Sequence, residues 1–304
     1  MPSSRAHFRE NNMSSADDAA ASLALADSIG QARAQVQRWK RAGEGVTVVP
    51  TMGNLHDGHL ALVEAATASG LRTVVTIFVN PMQFGENEDL DTYPRTLTED
   101  LRKLSQYPVD MVFAPTVAEI YPQGIESSTQ LVVTGLSDML EGEHRPGFFV
   151  GVATVVNKLF NILQPDTAWF GAKDYQQLLV IRKMVRDLDL AIEVHAVPTV
   201  REPDGLAMSS RNQYLDDSER QLAAKFFRCL QHVVDSAQQG MPHTYAVVHA
   251  TQELSAAGFL TDYVVVRRQD DLEVPGEQDK SLIVLGAVRL GKTRLIDNIP
   301  FELM

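Results

Sequence analysis

The run Val46 to Val49 leads through Met52-Gly53-Asn54-Leu55-His56-Asp57-Gly58-His59 into Leu60 to Ala68. A β-branched, continuously apolar stretch gives way to helical spacing, so the octet occupies a strand-to-helix turn. The opening turn of a helix carries unsatisfied amide donors and the positive end of the macrodipole, which makes it a seat for an anion. Gly53 and Gly58 allow backbone to approach such a group. Asn54 and Asp57 are candidates to cap the turn, and His56 and His59, three apart, leave one side of its first turn. Imidazoles placed there can donate to phosphate oxygens as charge builds up in a transition state. Two other readings stay open on these residues alone. One is a plain capped turn with solvated histidines; the other is a helix-borne metal pair, which more usually has i, i+4 spacing and a glutamate.

The 304 residues are 44% hydrophobic and 22% charged, enough for a globular protein of two ordinary domains. No apolar run reaches membrane-spanning length, so no membrane association is expected. The net charge of -12 argues against nucleic acid as a partner. It also requires that an anionic substrate be met by a local cluster of cations. A single cysteine, Cys229, excludes an internal disulfide, suits a reducing, cytoplasmic setting and reads as a buried structural thiol beside Ala224, Phe227 and Leu230. Residues 1–22 are polar and lack a signal-like apolar core; Arg5 and Arg9 suggest a transit peptide, but Glu10, Asp17 and Asp18 count against it. A disordered tail is expected, with Met13 as an alternative start.

Working outward from the octet, strand-like and helix-like runs alternate: Thr73–Val79, Thr98–Gln106, Met111–Ala114, Gly151–Leu163, Ala168–Phe170, Gln176–Leu188 and Ile192–Val197. Such alternation predicts an α/β fold, a doubly wound parallel sheet with ligand at the carboxyl ends of the strands. Both the octet and Asn80-Pro81-Met82-Gln83-Phe84 fall at such ends. After Pro198 the texture changes to long helices, Ser218–Gln239 and His243–Ala257, followed by strands near Asp262–Arg267, Leu282–Leu285 and Arg294–Ile299. The expected organisation is therefore a doubly wound unit over 23–199 and a smaller α+β unit over 200–304 closing over the ligand.

Gly286-Ala287-Val288-Arg289-Leu290-Gly291-Lys292-Thr293 fits the phosphate-binding pattern G-x-x-x-x-G-K-[ST]. A P-loop, however, must open a helix. Here Ala287 to Leu290 read as strand and the remaining residues, Pro300 included, read as another, so a β-hairpin is expected.

Three further pieces suit a nucleotide. Gly171-Ala172-Lys173-Asp174 follows the strand Ala168–Phe170, and a lysine at a strand's carboxyl end is a point charge fit for phosphate. Met208-Ser209-Ser210-Arg211, reached through Val200-Arg201-Glu202 and Asp204-Gly205, offers two hydroxyls and a guanidinium in a loop able to close over a triphosphate. Gln83 and Gln177 add neutral amides.

At this point the chain resembles the pantoate-β-alanine ligase family over about residues 23–304. The resemblance rests on Val49 to His59, Phe78 to Phe84, Tyr93-Pro94-Arg95, Phe170-Gly171 with Lys173 to Gln177, Val200 to Glu202 with Asp204 to Asn212, and Thr293 to Asn298. His56-Asp57-Gly58-His59 looks like the HIGH signature of Rossmann-like nucleotidyltransferases, and Met208-Ser209-Ser210 loosely like their KMSKS loop. The resemblance implies ligation of pantoate and β-alanine to pantothenate through a pantoyl adenylate, with pyrophosphate and AMP released. ATP is then a co-substrate accompanied by Mg2+, and the assembly a homodimer through the first unit, with the stretch Gln130–Thr134 as a candidate sheet-edge interface. It implies that His59 acts as proton donor with His56 beside it, and that Lys173, Ser209, Ser210 and Arg211 neutralise polyphosphate. Met52 and Val200 would line the nucleotide pocket, Gly53, Asn54, Leu55, Asp57, Gly58, Gly171, Ala172, Asp174 and Met208 would complete it, and Gln83 and Gln177 would hold pantoate.

One departure is visible: Ala172 stands where the family usually has Glu, while Lys173 is kept. Two rival readings are a different nucleotidyltransferase of the same superfamily and a catalytically silent nucleotide-binding protein. The neutral pair Gln83 and Gln177 speaks against a phosphorylated acceptor, which would want more arginine.

Overall fold

The structure is a computed structural model that describes residues 23–86 and 88–303; the tail expected over 1–22 lies outside the described residues. Strands β1 (Ala24–Ala26), β2 (Val46–Thr51), β3 (Arg72–Ile77), β4 (Met111–Phe113), β5 (Thr167–Gly171) and β6 (Glu193–Val197) form a six-stranded sheet, every pairing in it parallel. Their order is β1-β4-β3-β2-β5-β6. Between them run helices α1 (Ile29–Arg41), α2 (Asp57–Ala68), α3 (Leu97–Leu104), α4 (Val117–Ile120), α5 (Glu141–His144), α6 (Phe148–Leu163) and α7 (Tyr175–Asp187).

The unbroken apolar strands follow from burial on both faces. Side chains alternate along a strand. Val48, Val74, Met111 and Phe113 therefore pack with α1, α6 and α7, while Val49, Val75 and Val112 pack with Leu62, Val63 and Ala66 of α2 and Leu104 of α3. Full burial of such a side chain contributes about 1.5–3 kcal/mol. Because both faces are covered, a slip of register would cost contacts on both at once.

The second sheet consists of β7 (Leu260–Arg268), β8 (Ser281–Leu290) and β9 (Thr293–Glu302), antiparallel in the order β7-β8-β9. One face, with Val264, Val284, Val288 and Leu295, packs on α8 (Asp217–Gln238) and α9 (His243–Ala256). On the other face Ile283 and Leu285 join the core of the first sheet. Cys229 lies in the α8 core, 1% exposed, its thiol pushed up to about 12 by burial, as a structural cysteine should be. Among the described residues no helix is long and apolar enough to cross a membrane.

The P-loop pattern is a hairpin. Leu290 pairs with Thr293 across the tight turn Gly291-Lys292, and residues 286–290 belong to β8. Lys292 is exposed at the rim of the large cavity described below. An exposed ammonium is screened, so Lys292→Ala is expected to weaken ATP binding by less than about 1 kcal/mol, measured by calorimetry; a larger loss would revive the P-loop reading.

Two local expectations need correction. Residues 130–134 are not a strand: among the described residues no segment supplies a backbone ladder there, and the Leu131 N–H donates instead to Thr154 Oγ1 at 2.9 Å. The cap of α2 is neither Asn54 nor Asp57 but His56, Asp57 being the first helical residue and Asn54 sitting at φ +50°.

Candidate active site

In this strand order the chain winds outward from β2 through β3 and β4, then returns to place β5 on the other side of β2. The topological switch point, where open α/β sheets bind ligands, lies between β2 and β5. The two strands pair only at Thr47↔Thr167 and Val48↔Ala168, so their last residues diverge and open a crevice. The turn carrying His56 and His59 leaves β2, and the turn carrying Lys173 leaves β5. Two segments more than a hundred positions apart thereby meet across one gap.

The histidine turn is held from within and from behind. His56 Nδ1 accepts from the Gly58 N–H at 3.1 Å, and His59 Nδ1 accepts from the His56 N–H at 3.4 Å, a reciprocal capping box. The two rings lie 4.1 Å apart. A side chain at Gly58 would put its Cβ 2.8 Å from the His56 ring, which is why glycine is required there. Behind the turn, the fully buried Asp100 of α3 accepts from the Asn54 and Leu55 N–H groups at 2.9 and 2.8 Å, and Lys103 donates to Leu55 O at 2.7 Å. Gly53, at φ +80°, sits against the same Asp100 carboxylate.

With both Nδ1 atoms accepting, the proton of each neutral ring is on Nε2. Both rings are held neutral: desolvation and then the Lys173 ammonium lower His56 to about 4, and desolvation and then His56 lower His59 to about 3. Such histidines bind protons more readily in the unfolded chain, near 6.5, than in the folded one. Their contribution to stability is complete above about pH 6.5 and is lost as the pH falls toward 4 and 3. The melting temperature of a His56→Asn/His59→Asn double variant should accordingly fall less between pH 7 and 4.5 than that of the unsubstituted protein; equal slopes would contradict the neutral pair.

The crevice widens into a cavity of about 460 Å3, ample for a small-molecule site. Met52, His56, Gly58, His59, Gln83, Gly171, Lys173, Asp174, Gln177, Val200, Met208, Ser209, Ser210 and Arg211 all line it. Gly53, Asn54, Leu55, Asp57 and Ala172 do not. The first three shape the turn from behind, Asp57 is exposed, and Ala172 presents only its carbonyl, to the Asn298 side-chain amide at 3.0 Å. The serine loop bends over the histidine turn, where Ser210 Oγ donates to Asn54 O at 3.3 Å. Most cations of the wall are already paired: Arg211 with Asp89 at 2.8 Å, Arg145 with Glu88 at 2.7 Å and Arg294 with Glu141 at 2.6 Å. Lys173, 19% exposed, has a single ion-pair partner among the described residues, Asp174 at 3.5 Å.

Elsewhere in the cavity lining Asn80 fixes the amide of Gln83. Its Nδ2 donates to Gln83 Oε1 at 3.2 Å and to Gly151 O at 3.1 Å, while its Oδ1 accepts from Tyr121 OH at 2.8 Å. The Gln83 nitrogen then faces the Met52 thioether at 3.0 Å. A thioether is a weak acceptor, readily replaced by a hydroxyl or carboxylate oxygen. Sequence reasoning assigns no role to Asn80, Asp100, Lys103 or the Arg145–Glu88 pair, because each depends on a partner some 40 to 70 positions away, Asn80 being held by Gly151 and Tyr121.

Among the described residues no group of three or more His, Cys, Asp or Glu side chains is arranged to hold a metal ion. The arrangement does suit a magnesium ion carried by phosphate oxygens, since such ions keep water and phosphate ligands and take one or two carboxylates. Asp174, half exposed and only weakly paired, is the cavity carboxylate open to it.

Comparison with known proteins agrees with this geometry. The family model described as pantoate-beta-alanine ligase matches residues 24–300. Pantothenate synthetase from Shewanella loihica is 52% identical over 274 residues, 90% of this chain and 97% of that protein. The corresponding protein of Thioalkalivibrio sulfidiphilus is 51% identical over 271 residues, 89% and 95% of the two chains. Among solved structures, pantothenate synthetase from Thermus thermophilus superposes with a TM-score of 0.86 at 44% identity, covering 91% of this chain and 99% of that one. Pantoate-beta-alanine ligase from Francisella tularensis, complexed with beta-gamma ATP and β-alanine, does so with a TM-score of 0.78 at 31% identity, covering 91% and 97%. A parallel sheet with its switch point flanked by the histidine and lysine turns, matched over nine-tenths of its length, leaves one assignment: the chain belongs to the pantoate-beta-alanine ligase family.

Proposed function

We propose that the protein condenses pantoate with β-alanine to pantothenate, using ATP, through an enzyme-bound pantoyl adenylate. A carboxylate is a poor electrophile. Attack of a pantoate carboxylate oxygen on the α-phosphorus forms a mixed anhydride and breaks the bond to pyrophosphate; the amine of β-alanine then attacks the acyl carbon, and AMP leaves as the amide forms and the amine gives up a proton. The barrier falls chiefly through positioning and through donors aimed at developing charge. The single observation that carries this reading is the convergence of His56, His59, Lys173 and the 208–211 loop on one cavity that Gln83 and Gln177 also line.

In this reading Lys173, Ser209, Ser210 and Arg211 neutralise the triphosphate. His59 and His56 donate from Nε2, Met52 and Val200 flank the nucleotide, and Gln83 and Gln177 hold the hydroxyl and carboxylate of pantoate. Asp174 would help to hold a magnesium ion carried in with the triphosphate, and that ion would supply further neutralisation of its charge. The Ala172 substitution is compatible with activity, since the turn is anchored through its backbone carbonyls. Assembly as a homodimer in the cytoplasm belongs to the same reading, its oligomeric part open to sedimentation.

The test is to incubate the protein with ATP, pantoate and β-alanine and to look for AMP together with pantothenate. With β-alanine withheld, an acid-quenched single turnover should contain pyrophosphate and pantoyl adenylate in equal amounts. ADP as product would exclude adenylation, and bound ATP without turnover would favour a silent binding protein.

A further inference from the structure

Asp297 and Asn298 are adjacent residues of β9, each 4% exposed. Successive side chains of a strand leave opposite faces, so one dipeptide can reach two different segments. Asp297 takes Arg201 in a bidentate pair, at 2.6 and 2.9 Å, and Arg201 in turn donates to Gly205 O at 3.0 Å and lies over the Phe227 ring. That fixes the base of the loop that carries Ser209, Ser210 and Arg211. The Asn298 amide nitrogen spends both hydrogens on the lysine turn, one on Ala172 O at 3.0 Å and one on Lys173 O at 2.8 Å. Asp297 Oδ1 also accepts the Asn298 N–H at 2.7 Å, so the two anchors are tied to each other.

We propose that Asp297-Asn298 is a strut that sets the separation between the lysine turn and the serine loop, with Asn298 a positioning residue acting through Lys173. The proposal rests on the ligase reading above, in which Lys173 faces the phosphates. Neither side chain needs to touch substrate. The local consequence is specific: without Asn298 the two carbonyls at 172 and 173 lose their donor, and the backbone that aims the ammonium is released, while the Arg211 end of the site keeps its own anchor in Asp297.

The test is a pair of double-mutant cycles on the full chain, read in the single-turnover rate of adenylate formation and in ATP affinity by calorimetry. Asn298→Ala is expected to lower the rate tenfold or more in the otherwise unsubstituted protein, but less than twofold in the Lys173→Ala background. In the Arg211→Ala background its full effect should persist. Asn298→Asp, the same size but unable to donate to the carbonyls, should behave like Asn298→Ala. Where the doubly substituted protein is too slow to time, the same non-additivity is expected in ATP affinity. Equal losses in the Lys173→Ala and Arg211→Ala backgrounds would overturn the proposal, as would variants at 298 that fail to fold, which would make Asn298 a general structural requirement. An unsubstituted protein that forms neither pyrophosphate nor pantoyl adenylate from ATP and pantoate would instead overturn the ligase reading itself.

Discussion

Replacing Lys173 with alanine is expected to slow adenylate formation by about 10²–10³-fold, the cost of removing one preorganised donor from developing charge. The expectation comes from how the other cations are committed. Arg145, Arg211 and Arg294 each face a carboxylate at hydrogen-bond distance, so much of their charge is already answered before a substrate arrives. Lys173 has only a 3.5 Å approach to Asp174, and its side chain is four-fifths buried against the cavity wall. Its field also helps to keep His56 neutral, so its presence is felt across the crevice. An ammonium that is shielded from water and only loosely paired is the group most able to follow charge as it moves onto pyrophosphate. Lys173→Arg is not expected to restore the rate, because a planar fork cannot reproduce a point charge on a flexible stem. Quenched-flow measurement with labelled ATP and pantoate checks this; a near-normal rate for Lys173→Ala would remove the residue from the chemistry.

Much of this arrangement is legible in the residues because it is local. A short, β-branched, continuously apolar run bounded by turn signals reads as a strand covered on both sides, and the octet after Val49 announces a helix start by its glycines and histidines. The hairpin at Gly291-Lys292 is legible for the same reason, since strand character on both flanks outweighs a motif match. What cannot be read is what depends on distant partners. Helix α1 has an apolar face of Ala32, Val36 and Trp39 scattered among charged residues, and its cap, Ser28, is an ordinary serine. Asp100 gives no local sign that both of its oxygens serve a turn 45 positions earlier. Histidine as its own helix cap is hidden because the usual capping residues, Asn and Asp, stand on either side of it. The Thr293 to Asn298 stretch is recognisable as a motif, yet its purpose emerges only when β9 is seen lying between the two loops.

His59→Ala is expected to reduce adenylate formation by about 10²-fold, and the pH dependence of that loss distinguishes two ways in which an imidazole could act. Part of any effect is structural. His59 Nδ1 accepts the His56 N–H, and loss of a capping contact costs about 1 kcal/mol of stability, visible in the melting temperature. The remainder concerns the Nε2–H. With its pKa held near 3 by desolvation and by His56, the ring is neutral in the free enzyme throughout the physiological range and has no proton to gain or lose there. It therefore acts first as a fixed hydrogen-bond donor, and the arriving triphosphate, by adding negative charge, draws its pKa upward toward a value at which a proton can be passed. Since kcat/KM reports ionisations of the free enzyme, its profile should carry no histidine limb between about pH 5 and 7. His59→Ala should lower the whole curve without changing its shape, and His59→Gln, which keeps an N–H donor, should recover part of the rate. An ionisation near 6.5 in the parent profile that disappears in His59→Ala would show instead that the free enzyme uses an imidazolium, and the desolvated, neutral pair derived from the geometry would have to be abandoned.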